Sequence, residues 1–216
     1  MRHQILMSNH KTFINRIIKN KNKVVEWNDS NLIRLISPTT EHYQYITNAD
    51  GNHGYFWYLH KLTEHVDGTV VELGNRRGCS TLAIYDALKE DQKFYSFDIT
   101  NDCRYVPGEV RQDPRVTIDN NFDAIDSDKI AELFEEKSVS MLFCDTIHTY
   151  EQIKAEYEVW NKYLTDDAII VVDDIQDQGT TSDKRSKWKF HEEWTGTKFD
   201  VTKDAHNPTG FGIYLK

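Results

Sequence analysis

Apolar and polar positions change their spacing repeatedly from about residue 54 onward. Short runs rich in β-branched and aromatic residues favour strands, and segments with apolar residues three or four positions apart favour helices. The predicted strands cover residues 69–73, 93–99, 115–119, 139–145, 168–174, 198–202 and 210–216. The predicted helices cover residues 54–66, 79–90, 127–137, 149–164 and about 183–195, and Ser127 is the expected N-cap of the third.

The alternation of strands and helices predicts an α/β fold. A mostly parallel, doubly wound sheet of seven strands would be covered by helices on both faces. No helix separates the last two strands, and their turn-rich connection, KDAHNPT, predicts an antiparallel C-terminal strand. We expect one domain over residues 54–216, with residues 1–53 as an N-terminal extension or cap over the mouth of the sheet.

Composition and charge narrow the class of protein. Hydrophobic residues make up 38% and charged residues 28% of the 216 positions, which is typical of a globular protein. No apolar run approaches the ~18 residues of a membrane helix, and the N-terminus lacks the apolar core of a signal peptide. The net charge of −9 disfavours contact with phosphate backbones, so neither nucleic acid nor a membrane is an expected partner. Three cysteines without paired or zinc-type spacing agree with a reduced, cytoplasmic location: Cys79, Cys103 and Cys144.

The N-terminus departs from the acidic character of the rest. Residues 1–25 contain six lysines and arginines and no acidic residue. The simpler interpretation is a solvated, partly disordered leader. The alternative is a basic arm that docks on an anionic substrate or on a partner subunit, which would allow a homo-oligomer.

A glycine-rich turn joins the first strand of the domain to its helix in the segment VVELGNRRGCST. Gly74 and Gly78 permit positive φ angles, so a ligand can approach the backbone there. The amides at the start of the helix favour an anionic group, and Ser80 could add a hydroxyl donor. Asp98 ends the next strand, twenty residues after Gly78, where a carboxylate suits two ribose hydroxyls.

Glu72 distinguishes this turn from a dinucleotide-binding loop. The spacing is E-x-G-x-x-x-G, whereas a pyrophosphate requires G-x-G-x-x-G. A carboxylate at the entrance of the turn would repel a pyrophosphate but suits a ligand that carries an ammonium group. The alternative is a plain turn between strand and helix, with Glu72 as a solvated strand end.

Three aspartates stand where two further strands end. Asp145 ends the strand 139–145, and Asp173 and Asp174 end the strand 168–174. Neighbouring parallel strands lie about 4.8 Å apart, so these carboxylates would raise one another's pKa values. A divalent cation would relieve the repulsion, and oxygen ligands suit Mg²⁺ or Ca²⁺, with Mn²⁺ as a further candidate. Alternatively, one aspartate caps a helix, another pairs with a lysine or arginine and the third is solvated, or Asp145 binds a ligand's ammonium group.

His148 follows Asp145 by three positions, just before a predicted helix. A neutral imidazole there could accept the proton of a substrate hydroxyl whose pKa a metal ion has lowered. The alternative is a loop histidine that caps the helix or forms a local hydrogen bond.

The glycine turn, followed by FYSFDI, resembles the first two motifs of class I S-adenosylmethionine-dependent methyltransferases, over about residues 54–216. The resemblance implies a Rossmann-like fold with S-adenosylmethionine as cofactor. It also implies that the methionine end of the cofactor is held by Glu72, Gly74, Gly78 and Ser80, and the ammonium group that Asp145 could bind would then be the cofactor's. By the same resemblance, Asp98 holds the ribose, and Asn120 and Asn121 contact the adenine.

The segment CDTIHTYEQIKAEYEVWNKYLTDDAIIVVDDI resembles part of the bacterial metal-dependent O-methyltransferases that act on sugars in macrolide and aminocoumarin pathways. That resemblance implies Asp145, Asp173 and Asp174 as metal ligands and His148 as the base. Catechol O-methyltransferases share the glycine turn and the first aspartate, and carry a lysine at the position of His148. Thr146 stands where the family has glycine, and TDDA replaces its Pro-Gly-Gly turn.

The expected function is therefore methyl transfer from S-adenosylmethionine to a hydroxyl oxygen. The acceptor would be a small molecule such as a sugar or a phenol, and the expected metal is Mg²⁺. Three alternatives stay open: a metal-independent N-methyltransferase, a non-catalytic binding module with the same fold, and, less favoured by the turn spacing, an NAD-dependent oxidoreductase.

Overall fold

The computed structural model describes residues 2–20, 55–103, 106–176, 187–203 and 209–216. Its strands, β1 to β7, are Thr69–Leu73, Phe94–Phe97, Val116–Asp119, Val139–Cys144, Leu164–Asp173, Lys198–Asp200 and Phe211–Leu215. Its helices, α1 to α7, are Arg2–Lys19, Tyr55–His65, Cys79–Asp86, Gly108–Gln112, Ser127–Leu133, Tyr150–Trp160 and Trp188–Glu193. Within these ranges, no helix combines the length and the hydropathy that crossing a membrane would require.

All seven strands form one sheet in the order β3-β2-β1-β4-β5-β7-β6. Strands β1 to β5 run parallel, and β7 runs antiparallel to both β5 and β6. The predicted α/β architecture with an antiparallel C-terminal strand is confirmed. The chain turns back at β1, which has β2 on one side and β4 on the other, and ligands bind at such reversal points in open sheets.

The strands β1, β2, β4 and β5 end level with one another. Leu73 at the end of β1 pairs with Phe97 on one side and with Cys144 on the other. Cys144 in turn pairs with Val172, one residue before the end of β5. We call this edge, together with the turns that follow it, the carboxyl pole.

The core lies on both faces of the sheet, because successive strand residues point to opposite sides. Val70 belongs to the cluster that also contains Leu59 of α2, whereas Val71 packs with Trp160 of α6. Both valines are fully buried, as is Trp160, whose indole Nε1 donates to the carbonyl of Ala124 at 2.9 Å. Burial on two faces explains why the central strands are apolar runs without alternation.

Element boundaries differ from the predicted ones at several ends. The helix α3 stops at Asp86 rather than at residue 90, because the amides of Ala87 and Leu88 turn back to carbonyls three residues earlier. The strand β5 begins at Leu164 rather than at residue 168, since Leu164 already pairs with Val139 across a shift in register. The cysteines, as expected, are free thiols.

The N-cap of α5 is Asp126 and not Ser127, so that prediction was wrong. The carboxylate of Asp126 accepts hydrogen bonds from the amides of Asp128 and Lys129, each at 3.2 Å. A carboxylate at this position bonds the free amides and also interacts favourably with the helix dipole, which a serine hydroxyl does less well.

The prediction of a disordered leader is wrong for residues 2–20, which form α1. Ile14 is fully buried, and the ring of Phe13 stacks on His65 with the ring centres 3.8 Å apart. His10 Nδ1 lies 2.9 Å from His65 Nε2, and His10 Nε2 lies 3.6 Å from a carboxylate oxygen of Asp167. Asp167 is near the amino-terminal end of β5, so this helix contacts the sheet away from the carboxyl pole. The predicted domain boundary, at residues 53 and 54, lies outside the described residues.

Candidate ligand site at the carboxyl pole

The turn after β1 depends on two glycines in left-handed conformation, Gly74 with φ of 89° and Gly78 with φ of 92°. A Cβ atom on Gly74 would lie 2.1 Å from the carbonyl oxygen of Asp145, and one on Gly78 would lie 2.3 Å from Val106. The glycines therefore allow close approach between segments of the chain itself. Gly74 in particular brings the turn against the residue that follows β4.

Asp98 holds this turn in place from the end of β2. One carboxylate oxygen accepts a hydrogen bond from the amide of Arg76 at 2.7 Å. The other accepts from the amide and the hydroxyl of Thr100, at 2.7 and 2.8 Å. Asp98 is half-buried at the surface of the pole, so its carboxylate is anchored but accessible to a ligand.

Glu72 lies beneath the turn with no exposed surface, so its interpretation as a solvated strand end was wrong. Its Oε2 accepts hydrogen bonds from the hydroxyls of Thr81 at 2.6 Å and Ser96 at 2.7 Å. Its Oε1 has no hydrogen-bond partner among the described residues. Burial raises the pKa of Glu72 to about 7, against the opposing effect of hydroxyls that include the buried Ser80.

Asn75 is a site residue that the sequence analysis missed. Its amide nitrogen donates to the hydroxyl of Ser96 and to Oδ1 of Asn120, both at 3.0 Å. Asn120 in turn donates to Asn101 at 3.4 Å. Asn75 therefore ties the turn to the ends of β2 and β3, and Asn120 is placed at the pole. Asn121, the other predicted adenine contact, is exposed beside it.

The potential metal ligands that meet at the pole are Asp145, His148 and Asp174. One donor atom from each lies within 4.8 Å of the others, whereas Asp173 is outside this group of described residues. Asp174 has a φ of 63°, which breaks the alternation of β5 at its end. Asp173 stays nearby, since its carboxylate accepts from the amide of Asp174 at 3.0 Å and raises the pKa of Asp145.

His148 faces the acidic group rather than the helix. Its Nδ1 is in contact with Oδ2 of Asp174, and both atoms are buried without a well-oriented hydrogen bond. The N-cap of α6 is the neighbouring Thr149, whose hydroxyl accepts from the amide of Gln152 at 3.2 Å. The alternative role of His148 as the helix cap is therefore filled by another residue.

A buried lysine, Lys187, also lies at this pole. Its side chain is fully buried, and its Nζ donates to the carbonyl of Cys144 at 3.2 Å. Burial and the nearby Asp173 raise the pKa of Asp145 well above its usual value, and Lys187 opposes this shift. The sequence predicts a helix over about residues 183–195 and does not single out Lys187. The effect of its charge on Asp145 and Asp174 agrees with the alternative in which one of the aspartates is paired with a lysine.

Residues 71–175 match the model of a family described as a methyltransferase domain. A search of curated proteins found no match. The match covers 105 of the 216 residues, so together with the sheet topology it shows that this part of the chain is similar to methyltransferase domains and has their fold.

Solved structures with this fold include several O-methyltransferases. A protein from Staphylococcus aureus that is described as a caffeoyl-CoA O-methyltransferase is 13% identical to this chain. The likeness covers 91% of this chain and 99% of that chain, with a TM-score of 0.63. An O-methyltransferase from Bacillus cereus in complex with SAH is 14% identical, with 89% and 99% covered and a TM-score of 0.62. TomG from Streptomyces achromogenes, involved in tomaymycin synthesis and solved with SAM, is 16% identical, with 84% and 91% covered and a TM-score of 0.60. At these identities the likeness establishes the fold alone.

Proposed function

We propose that this protein transfers a methyl group from S-adenosylmethionine to a hydroxyl oxygen of a small molecule. One observation carries the proposal: His148 and two aspartates meet at the pole beside the glycine turn of a methyltransferase domain. The contact of Gly74 with the backbone of Asp145 places the turn next to that group, so donor and acceptor would be adjacent. The SAM and SAH bound to the relatives from Streptomyces and Bacillus support the choice of methyl donor.

The donor would lie across the ends of β1, β2 and β4. The anchored carboxylate of Asp98 would accept from the ribose hydroxyls, as the sequence predicts. Two large apolar side chains close to these acids in the sequence are exposed. Ile99, which follows Asp98, is 69% exposed, and Ile147, two positions after Asp145, is 62% exposed. Exposed apolar side chains at a ligand-binding edge suit contact with a flat ring such as adenine. The end of the site that receives the ammonium group would be formed by Glu72, Ser80 and the backbone of the glycine turn.

The residues at the pole fit a divalent cation. Asp145 and Asp174 offer oxygen ligands, and Oδ2 of Asp174 is buried without a well-oriented hydrogen bond. Oxygen ligands suit Mg²⁺, and Mn²⁺ is a further candidate. When bound, the ion would supply positive charge that lowers the pKa of the acceptor hydroxyl.

The protein's own part is to orient groups and to accept one proton. Asp174 faces Nδ1 of His148, which leaves Nε2 as the nitrogen that takes the hydroxyl proton. Asp145 and Asp174 would hold the cation, and with it the acceptor hydroxyl, next to the methyl group of the donor. Positioning and preorganised charge would supply most of the rate enhancement.

A metal-independent N-methyltransferase is a second candidate, because Lys187 already places a positive charge among these acids. In that case the acidic group would bind the ammonium of the donor or an amine acceptor, and no divalent ion would be needed.

The test is methyl transfer from labelled S-adenosylmethionine to a panel of sugars, catechols and amines, with and without a chelator. We expect transfer to a hydroxyl compound that EDTA abolishes and that Mg²⁺ or Mn²⁺ restores. Calorimetric titration with S-adenosylhomocysteine should give binding that Asp98→Asn weakens by about tenfold or more, the value of a charged hydrogen bond. Asp91→Asn, an exposed residue before β2, is the matched control and should bind normally.

The outcomes separate the candidates. Failure to bind S-adenosylhomocysteine would reject the proposed donor. Transfer to an amine that survives EDTA would favour the metal-independent candidate, and transfer to a hydroxyl that survives EDTA would reject only the metal.

A further inference from the structure

Lys187 joins the two strand ends that carry the acidic group. Its Nζ donates to the carbonyl of Cys144, the residue before Asp145, and its backbone amide donates to the carbonyl of Asp174 at 3.0 Å. The carbonyl of Lys187 then accepts from the amide of His191, which starts the hydrogen bonding of α7. One residue therefore connects the end of β4, the end of β5 and the beginning of a helix.

The ammonium group of Lys187 is buried next to the strand end that carries Asp145, since its Nζ is hydrogen-bonded to the carbonyl of the preceding Cys144. Its positive charge acts on Asp145, Asp174 and Glu156. An ammonium group without exposed surface is stable only when it is paired, because its transfer out of water is costly. Lys187 and these carboxylates consequently depend on one another.

Glu156 completes this arrangement on the α6 side. It is fully buried, accepts from Gln152 at 2.9 Å and accepts from the hydroxyl of Thr146, the residue after Asp145. Its other oxygen, Oε2, has no hydrogen-bond partner among the described residues. Burial raises the pKa of Glu156, and the positive charge of Lys187 opposes that rise and favours the ionised form.

We propose that Lys187 is a positioning residue and the built-in counter-ion of the acidic group, and that its charge keeps the divalent-cation site weak and exchangeable. The inference rests on the proposed function only in assigning a divalent ion to Asp145 and Asp174. With Lys187 in place, the acids are partly neutralised before any ion arrives. A divalent ion would then be attracted less strongly than by the same carboxylates alone.

The test measures Mn²⁺ binding to the full-length protein by calorimetry, without methyl donor or acceptor. Lys187→Met removes the charge at nearly constant length, and we expect it to bind Mn²⁺ about tenfold more tightly than the native chain. Lys187→Arg keeps the charge and should bind as the native protein does. Lys189→Met, on the exposed face of the same helix, is the matched control and should change nothing.

A purely structural role predicts the opposite result. Damage to the strand ends would weaken Mn²⁺ binding or leave it unchanged in Lys187→Met, and either result in a folded variant would overturn the proposal. The same variant should lose about 10 °C of Tm without metal, because it leaves buried carboxylates unpaired, and Mn²⁺ should restore part of that loss.

The double variant Lys187→Met with Glu156→Gln covers the case in which the single variant does not fold. It removes one charge of each sign, so it should fold and have a Tm above that of Lys187→Met alone. A double variant no more stable than the single one would contradict the counter-ion role. If no variant and not even the native chain binds Mn²⁺, the metal part of the proposed function fails, and the Tm comparison alone decides the role of Lys187.

Discussion

Buried acids at the carboxyl pole have different surroundings, and these surroundings decide their charge. Glu72 sits among hydroxyl groups that reach only one of its oxygens, so burial dominates and its pKa rises to about 7. Asp174 instead faces His148 and Lys187, and its pKa falls below the usual value although burial alone would raise it. At neutral pH, the carboxyl of Glu72 is therefore partly protonated, whereas that of Asp174 is ionised.

Glu72→Gln should flatten the pH dependence of stability. In the unfolded chain Glu72 ionises near 4.5, whereas in the folded protein it ionises near 7. Between these values the folded state binds more protons, so stability falls as the pH rises from about 4.5 to 7 and stays lower above 7, by on the order of 3 kcal/mol. Urea denaturation at pH 5 and pH 8 measures the effect. The other buried acids are common to both proteins, so equal pH dependence in the two would refute this explanation.

His148→Ala should reduce kcat by about 10² to 10⁴, the usual contribution of a general base. Affinity for S-adenosylhomocysteine should stay within about twofold, because the proposed donor contacts do not include this residue. Glu151→Gln, exposed in the first turn of α6, serves as the control with native kcat. A loss below about tenfold in His148→Ala would show that another group accepts the proton.

At the scale of elements, the ends of strands and helices place the site. Asp174 leaves β5 in a left-handed conformation, and this turn directs its side chain to the group formed by Asp145 and His148. Thr149 caps α6 and so leaves His148 outside the helix. Propensity rules locate these elements but give their ends only to within a few residues. The site therefore depends on the least predictable part of each element.

The helix α1 provides a test of packing at the element scale. Ile14 has no exposed surface, so Ile14→Ala should destabilise the protein by about 2 to 5 kcal/mol and lower Tm by about 5 to 15 °C. Ile5→Ala is the matched control, since Ile5 is 55% exposed and should cost less than about 0.5 kcal/mol. Differential scanning calorimetry distinguishes them. Equal Tm values for both variants would mean that α1 is not docked on the core.

At the scale of the whole molecule, the reversal of strand order at β1 brings distant residues together. Strands β1, β2, β4 and β5 run parallel and end level. Their ends therefore bring together the turn after β1, Asp98 after β2, and the acids after β4 and β5. The buried Lys187 joins them from beyond β5. The excess of acidic residues in the chain, with a net charge of −9, includes several acids that are buried in this one region.

The sequence by itself determined the fold class and the succession of strands and helices along the chain, and it predicts the pole at which a ligand would bind. Apolar runs and turn residues carry that information locally. It also selected Glu72, Asp98, Asp145 and His148 as residues of interest, because carboxylates at strand ends are recognisable without a structure.

Only the tertiary structure decided which of these residues meet. Asp174 rather than Asp173 joins Asp145 and His148, because one left-handed residue changes the direction of a side chain. Lys187, Glu156 and Asn75 contact the site through burial and hydrogen bonds between distant segments. Such contacts leave no periodic signal in a sequence, since their partners are set by the packing of the sheet and its helices. The docking of α1 was not predicted from the sequence for the same reason. Its exposed lysines and arginines suggest a solvated segment, and its apolar face is recognisable only once it packs against the core.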